Sequence, residues 1–215
     1  MLKPFLKNYH FTAQDLNVLT KPQAWITGTI IDIFGHTFAD CSDMLLQYIS
    51  CEVSNFLNNE TIMQQFVNHI VLSAKGFVII PFSDNTHWNI LLHDLHASTW
   101  KVFSSFSSVS QSVIEFLKKL TIYLPDHLKF DGESTACNVL NITLQTDGYH
   151  CGDFCLLFLE LLSKGWDLDS VIKVMEYKTE WKHIIKGYRD ILTNRLERFD
   201  VVDDIEFATL KRKRE

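Results

Sequence analysis

"GFVIIPFSDNTHWNILLHDLHASTWKVFSSF", residues 76–106, is the stretch from which the fold is read. "GFVIIPF" and "HWNILLHDL" are short apolar runs divided by the turn-rich "SDNT", and "TWKVFSSF" is a third. Apolar runs of this length, rich in β-branched and aromatic residues and bounded by turn residues, predict three strands.

Both flanks predict helices. Upstream, Pro22 suits a first helical turn, and Trp25, Ile26, Ile30, Ile33 and Phe34 recur at helical spacing. "CEVSNFLNN" and "ETIMQQFVNHIVLS" are two more amphipathic stretches. Downstream, "SVSQSVIEFLKKLTIYL" sets Val109, Val113, Phe116, Leu117 and Leu120 on one helical face, with Ser107 or Ser108 as cap. "NVLNITL" reads as a further strand, followed by a helix ending near Gly165 and by helices over about 168–177 and 180–197. Strands and helices without strict βαβ alternation predict an α+β fold. Residues 1–197 are expected to form a single domain. Residues 198–215, acidic and then basic ("KRKR"), are expected to be a flexible tail, with nuclear import as one reading of the basic cluster.

Composition sets outer bounds. The chain has 215 residues, 47% of them apolar, which is enough for a sizeable core. A formal charge of −6 argues against nucleic acid as the main partner. No apolar run reaches membrane-spanning length and no secretory leader is visible, so neither a membrane nor secretion is expected. Five cysteines (Cys41, Cys51, Cys137, Cys151 and Cys155) at irregular spacing fit a reducing compartment, cytoplasmic and/or nuclear, better than a disulfide framework.

Chemistry concentrates at residue 151. In "LQTDGYHCGDFCLLFLELL", 144–162, a polar turn runs into an apolar helix with Cys151 at the junction. A helix N-terminus lowers a thiol pKa. Gly152 permits a tight turn and leaves space for a substrate carbonyl. Phe154, Leu157, Phe158 and Leu161 would bury the helix behind the thiol. These residues alone leave two readings open: a nucleophile, or a small core thiol of the kind that is commonly buried. The base would be His87, which opens a predicted strand after a polar turn and so should face solvent or a cleft. His93 and His96 would point to opposite faces of a strand, and Cys151, Cys155 and His150 lack a second ligand pair, so no metal site is expected. There is no phosphate loop and no GxSxG elbow.

"HW" at 87–88 followed by "QTDGYHCG" at 145–152 resembles the sentrin/SUMO-specific protease superfamily, the Ulp-type cysteine peptidases. "LTKPQAWITGTIIDIFGHTF" resembles the family's Trp-Leu-Asn-Asp helix, and "YISCEVSNFL" with "EWKHII" is most similar to the compact deneddylase branch (sentrin-specific protease 8-like). The resemblance spans about residues 5 to 192. It implies a papain-like fold with a central mixed sheet flanked by helices, and a monomer needing no cofactor. The implied partner is a ubiquitin-like modifier, the neddylation modifier ahead of SUMO or ubiquitin. The implied activity is cleavage after the modifier's C-terminal diglycine. By the same resemblance Cys151 attacks the carbonyl, His87 serves as base and then acid, and Gln145 donates to the oxyanion. Trp25 and Trp88 would wall a channel that only glycines can thread, although core packing is the ordinary reading of a tryptophan.

Three departures stand against the pattern. Ser104 occupies the position, seventeen residues past His87, where the family carries its orienting aspartate. Gly28 replaces an acid expected to meet an arginine of the modifier's tail. His150 and Asp147 replace an aspartate and an asparagine before the nucleophile. A serine hydroxyl can hold an imidazole, but without charge. The expected cost is roughly 1–2 kcal/mol, a 5- to 30-fold weaker pair, with Ser104 Oγ within about 3.2 Å of a His87 ring nitrogen. Asp94 lies an odd number of residues from His87 along the strand, so it would face the wrong side. The alternative to an active enzyme is a catalytically impaired pseudoprotease that still binds a ubiquitin-like protein.

Overall fold

A computed structural model describes residues 12–42, 46–68, 76–106, 108–130, 138–142, 145–177 and 181–212. A five-stranded mixed sheet runs in the order β1 (Leu46–Tyr48), β2 (Phe77–Ser83), β3 (Trp88–Asp94), β4 (Thr99–Ser104) and β5 (Asn138–Asn141). The three expected strands are the antiparallel centre, with Ile79 opposite Leu92 and Leu91 opposite Val102. β1 and β5 add in parallel at the two edges. Cys137, Leu144 and the end of "NVLNITL" lie outside the described residues, as do 69–73 of the "ETIMQQFVNHIVLS" helix and Ser107.

Side chains alternate between two cores, as a period of two requires. Phe77, Ile79, Ile90, Leu92 and Phe103 pack on one face with α2 (Gly28–Asp40), α5 (Cys151–Ser163), α6 (Leu168–Tyr177) and α7 (Trp181–Arg212). Val78, Ile80, Phe82, Leu91 and Val102 pack on the other with α3 (Glu60–Asn68) and α4 (Gln111–Thr121). Burial on both faces explains why "FVIIPF" is continuously apolar rather than alternating.

The structure moves several boundaries. Pro22 does not start a helix. A helix not read from the spacing, α1 (Ala13–Thr20), ends just before it, closed at its start by a reciprocal Thr12–Asp15 capping box. Lys21 is extended (ψ 118°), as a residue preceding proline must be. α2 begins only at Gly28, after Trp25 and Ile26, because Thr27 caps it: its hydroxyl accepts from the Ile30 N–H and donates to Asp15 at 2.8 Å. The N-cap position of α4 is Ser110 rather than Ser108, and its hydroxyl donates to Asp84 instead of closing the helix. "CEVSNF" is a 3-10 segment, Cys51–Phe56, pinned by buried Asp32, which accepts from the Cys51 N–H and the Ser50 hydroxyl. α7 runs past residue 197 to Arg212, in a sequence holding neither glycine nor proline after Gly187. No described helix is long and apolar enough to cross a membrane.

Candidate active site

Asp84 builds the turn that places His87. Its carboxylate accepts from the backbone N–H groups of Thr86 and His87, while Asn85 takes a left-handed φ of 69°. Against the opposing effect of burial, the Ser110 and Thr86 hydroxyls, joined by these two N–H groups, hold the Asp84 pKa down to about 2. β3 then begins, and extending its register with β4 by two residues sets His87 opposite Phe106. The two rings stack at 4.3 Å. His87 is therefore buried under an aromatic lid, which removes the solvent-facing half of the expectation that it would face solvent or a cleft. Its Nε2 lies 3.1 Å from Ser104 Oγ, within the expected limit, and Nδ1 has no hydrogen-bond partner.

Ser104 is fully buried and also accepts from the Phe106 N–H at 3.2 Å. Here serine differs from a carboxylate in kind. A carboxylate only accepts, so it forces the proton onto Nε2 and leaves Nδ1 as a base. A hydroxyl can accept from Nε2–H or donate to Nε2, and the second arrangement puts the proton on Nδ1. Burial pushes the His87 pKa down to about 4, partly opposed by the Asp84 charge. The resting imidazole is neutral. Asp94 sits at the far end of β3, bound to Lys101 and to the N–H groups of the next turn, with no part in the site.

Cys151 is the first residue of α5 and 1% exposed. Burial pushes its thiol pKa up; the backbone N–H groups of Trp88 and Gly152 pull it down. Trp88 is thus the link between base and thiol: it follows His87 in sequence, and its backbone N–H favours the thiolate of Cys151. Its indole N–H donates to the Ile26 carbonyl at 2.9 Å, and the ring is buried. Trp25, one residue before Ile26, is 38% exposed. The two tryptophans expected to act together divide the work, one as core and one at the surface.

Gly152 corrects a second expectation. A Cβ there would stand 2.6 Å from the Ile26 Cβ and 3.2 Å from the Trp88 ring. The space beside this glycine is filled by protein rather than kept for a carbonyl, and the residue is needed for close packing of α5 under the Ile26–Trp88 pair. Likewise a Cβ at Gly28 would stand 3.1 Å from Cys51 Sγ, so the position of the family's acid is crowded by a thiol.

Gln145 is buried, and its amide is held from both ends. The Ser105 hydroxyl donates to Oε1 at 2.8 Å, and Nε2 donates to the Asp147 carbonyl at 2.6 Å. Asp147 in turn accepts from the N–H groups of Tyr149 and His150 and meets the His150 ring at 2.8 Å. The aspartate and histidine that depart from the family pattern thus form a pair that shapes the turn into Cys151. Ser105 and Phe106 escaped sequence reasoning. Their only sign was adjacency to Ser104, and β4 register is what sends one to Gln145 and the other to His87. Among the described residues no three His, Cys, Asp or Glu side chains gather as a metal site would need.

Residues 37–188 match the Ulp1 protease family, C-terminal catalytic domain. Solved structures share the fold. One is a de-sumoylating protease: TM-score 0.70, 16% identity, covering 95% of this chain and 93% of that one. The C-terminal Ulp1 protease domain in complex with SMT3, the yeast ortholog of SUMO, superposes with TM-score 0.58 at 18% identity, covering 86% of each chain. The Xanthomonas campestris effector XopD, solved bound to ubiquitin, gives 0.52 at 17%, covering 78% of this chain and 91% of that one. Among curated proteins none matches.

Proposed function

The chain belongs to the Ulp1 protease family, and from that premise we propose that it is a thiol protease or isopeptidase cleaving after the C-terminal diglycine of a ubiquitin-like modifier. The observation that carries the reading is the His87 ring. Nε2 is engaged by Ser104, while Nδ1 is buried and unpartnered, one residue before the Trp88 N–H that favours the Cys151 thiolate. An unsatisfied buried ring nitrogen is costly in a purely structural residue and useful in a base.

Chemistry follows from these atoms. The thiol proton passes to His87 Nδ1 as Sγ bonds the glycine carbonyl carbon. The resulting oxyanion is met by the Cys151 backbone N–H and by Gln145 Nε2, which turns toward it the hydrogen that otherwise makes only a long 3.4 Å contact with Asp147 Oδ1. The C–N bond breaks and the leaving amine takes the proton from His87. Water then hydrolyses the thioester. With the thiol held up and the imidazole held down, the proton moves during attack rather than before it.

The neddylation modifier is the first substrate to test, on the likeness of "YISCEVSNFL" and "EWKHII" to the compact deneddylase branch. SUMO and ubiquitin follow, since relatives of the same fold are solved with them. One observation favours a second reading, a slow or silent binder: Ser104 leaves the tautomer of His87 unfixed. Each modifier carrying a C-terminal propargyl group separates the two. An adduct with wild type that is lost in Cys151→Ala establishes the enzyme; measurable binding without an adduct from any of the three establishes the binder.

A further inference from the structure

Asp153 is a charged residue in the apolar run of α5, two places after the nucleophile, and it is completely buried. Arg189 of α7, 3% exposed, meets it with a two-pronged fork: Nε to Oδ1 at 2.8 Å and Nη2 to Oδ2 at 2.7 Å. The other three N–H groups go elsewhere. Nη1 donates to the carbonyls of Val18 (3.3 Å) and Lys21 (2.6 Å), and Nη2 to that of Ala24 (2.7 Å). All five guanidinium donors are used, and no other side chain could make this set of bonds.

The three carbonyls end α1 and form the turn leading into Trp25. The fork holds the first turn of α5. Around Arg189 the two sides stand apart: a cleft of about 390 Å³ is lined by Thr20, Pro22 and Gln23 on one side and by Asp147, Tyr149 and His150 on the other. The turn carrying Trp25 is therefore tied to the nucleophile helix through an arginine bridge beside a gap.

We propose that Arg189, seated on Asp153, is a positioning residue that sets the distance of the Trp25 turn from Cys151 and so enforces glycine at the substrate position before the scissile bond. The inference rests on the peptidase reading given above. Ile26, next to Trp25, packs on Gly152 and accepts from the Trp88 indole beside the thiol, so loosening the bridge lets this turn retreat from Cys151 and admits a methyl group. A purely structural role would lower turnover of every substrate alike.

The test uses full-length modifier ending in Gly-Gly or in Gly-Ala, each with a C-terminal aminocoumarin amide, and compares kcat/KM for the two. Arg189→Lys keeps the charge but cannot reach both partners. It is expected to narrow the Gly-over-Ala preference by about tenfold, in line with the cost of sub-ångström misplacement. Trp25→Ala should narrow it in the same direction. A cooperatively folded Arg189→Lys with the wild-type preference overturns the proposal. If that variant does not fold, Asp153→Asn, which opens one prong of the fork, carries the same measurement; failure of both to fold makes the pair a folding element and also overturns it. A wild-type protein that neither turns over nor forms a propargyl adduct defeats the peptidase reading itself, and with it this one.

Discussion

Two polar clusters flank Cys151, and they are built on opposite principles. On the helix side Arg189 and Asp153 form an ionic bridge in which every guanidinium donor is satisfied. On the strand side His87, Ser104, Ser105 and Gln145 are joined through neutral hydroxyls and amides, and one ring nitrogen is left unpaired. Charge is spent where the scaffold must not move. It is withheld where a proton must. A saturated ion pair has one low-energy arrangement, whereas a hydroxyl between imidazole and a backbone N–H has two, and that freedom is also what makes the base less decided.

If the helix-side cluster carries the rigidity, Arg189→Met should show the largest effect. It strands a buried carboxylate and three carbonyls, and about 3–5 kcal/mol of stability should be lost, read from urea unfolding. A loss below about 1 kcal/mol would break the comparison. Gln145→Ala tests the output of the strand-side cluster. With the oxyanion donor gone, kcat should fall about 10²–10³-fold with little change in unfolding free energy. Loss of stability in place of rate would make Gln145 a strut between Ser105 and Asp147.

Acid sharpens the contrast next. Burial holds the His87 pKa down to about 4, below the ordinary value of about 6.5. Between those values the unfolded chain binds a proton that the folded chain refuses. Stability is therefore full above the upper value and falls as pH drops through the window, by about 2–3 kcal/mol at most once partial solvent access is allowed for. Denaturation at pH 7 and pH 4.5 should show this drop in wild type and a smaller one in His87→Gln; equal drops would remove His87 from the account.

The smallest expected effect is the most diagnostic. Ser104→Asp adds an acceptor that cannot donate, so it should fix the Nε2–H tautomer and steady the imidazolium. Turnover is expected to rise about 5- to 30-fold, or 1–2 kcal/mol. The pH midpoint for alkylation of Cys151 by iodoacetamide should fall at the same time. A flat or lower rate in a folded variant would show that His87 is already well oriented.

The three central strands and α5 were legible, and His87, Gln145 and Cys151 could be named as candidates, because each rests on local pattern: apolar runs bounded by turns, a helix start, a motif with fixed spacing. Four things were not. The burial of His87 comes from Phe106, which register alone brings across the sheet. Pro22 looked like a helix start because its fixed φ suits one, and only the Thr27–Asp15 bond shows that α2 begins later. Gly152 and Gly28 carry no sign of what presses on them. The Asp153–Arg189 bridge spans 36 residues, with further bonds reaching back to Val18, and no local pattern encodes such a distance.

Sequence alone thus determined the secondary structure of the centre and, through the resemblance its motif carries, the family, and it named the candidate reacting groups, since spacing and residue chemistry are local properties. Tertiary structure decided how those groups behave. It placed Ser104 on Nε2 rather than Nδ1, buried the ring and the thiol so that their proton affinities diverge, filled the space beside Gly152, and brought Arg189 from the last helix to the first turn of α5. Orientation, desolvation and long-range pairing depend on which surfaces meet, and that is settled only when the two cores close on the sheet.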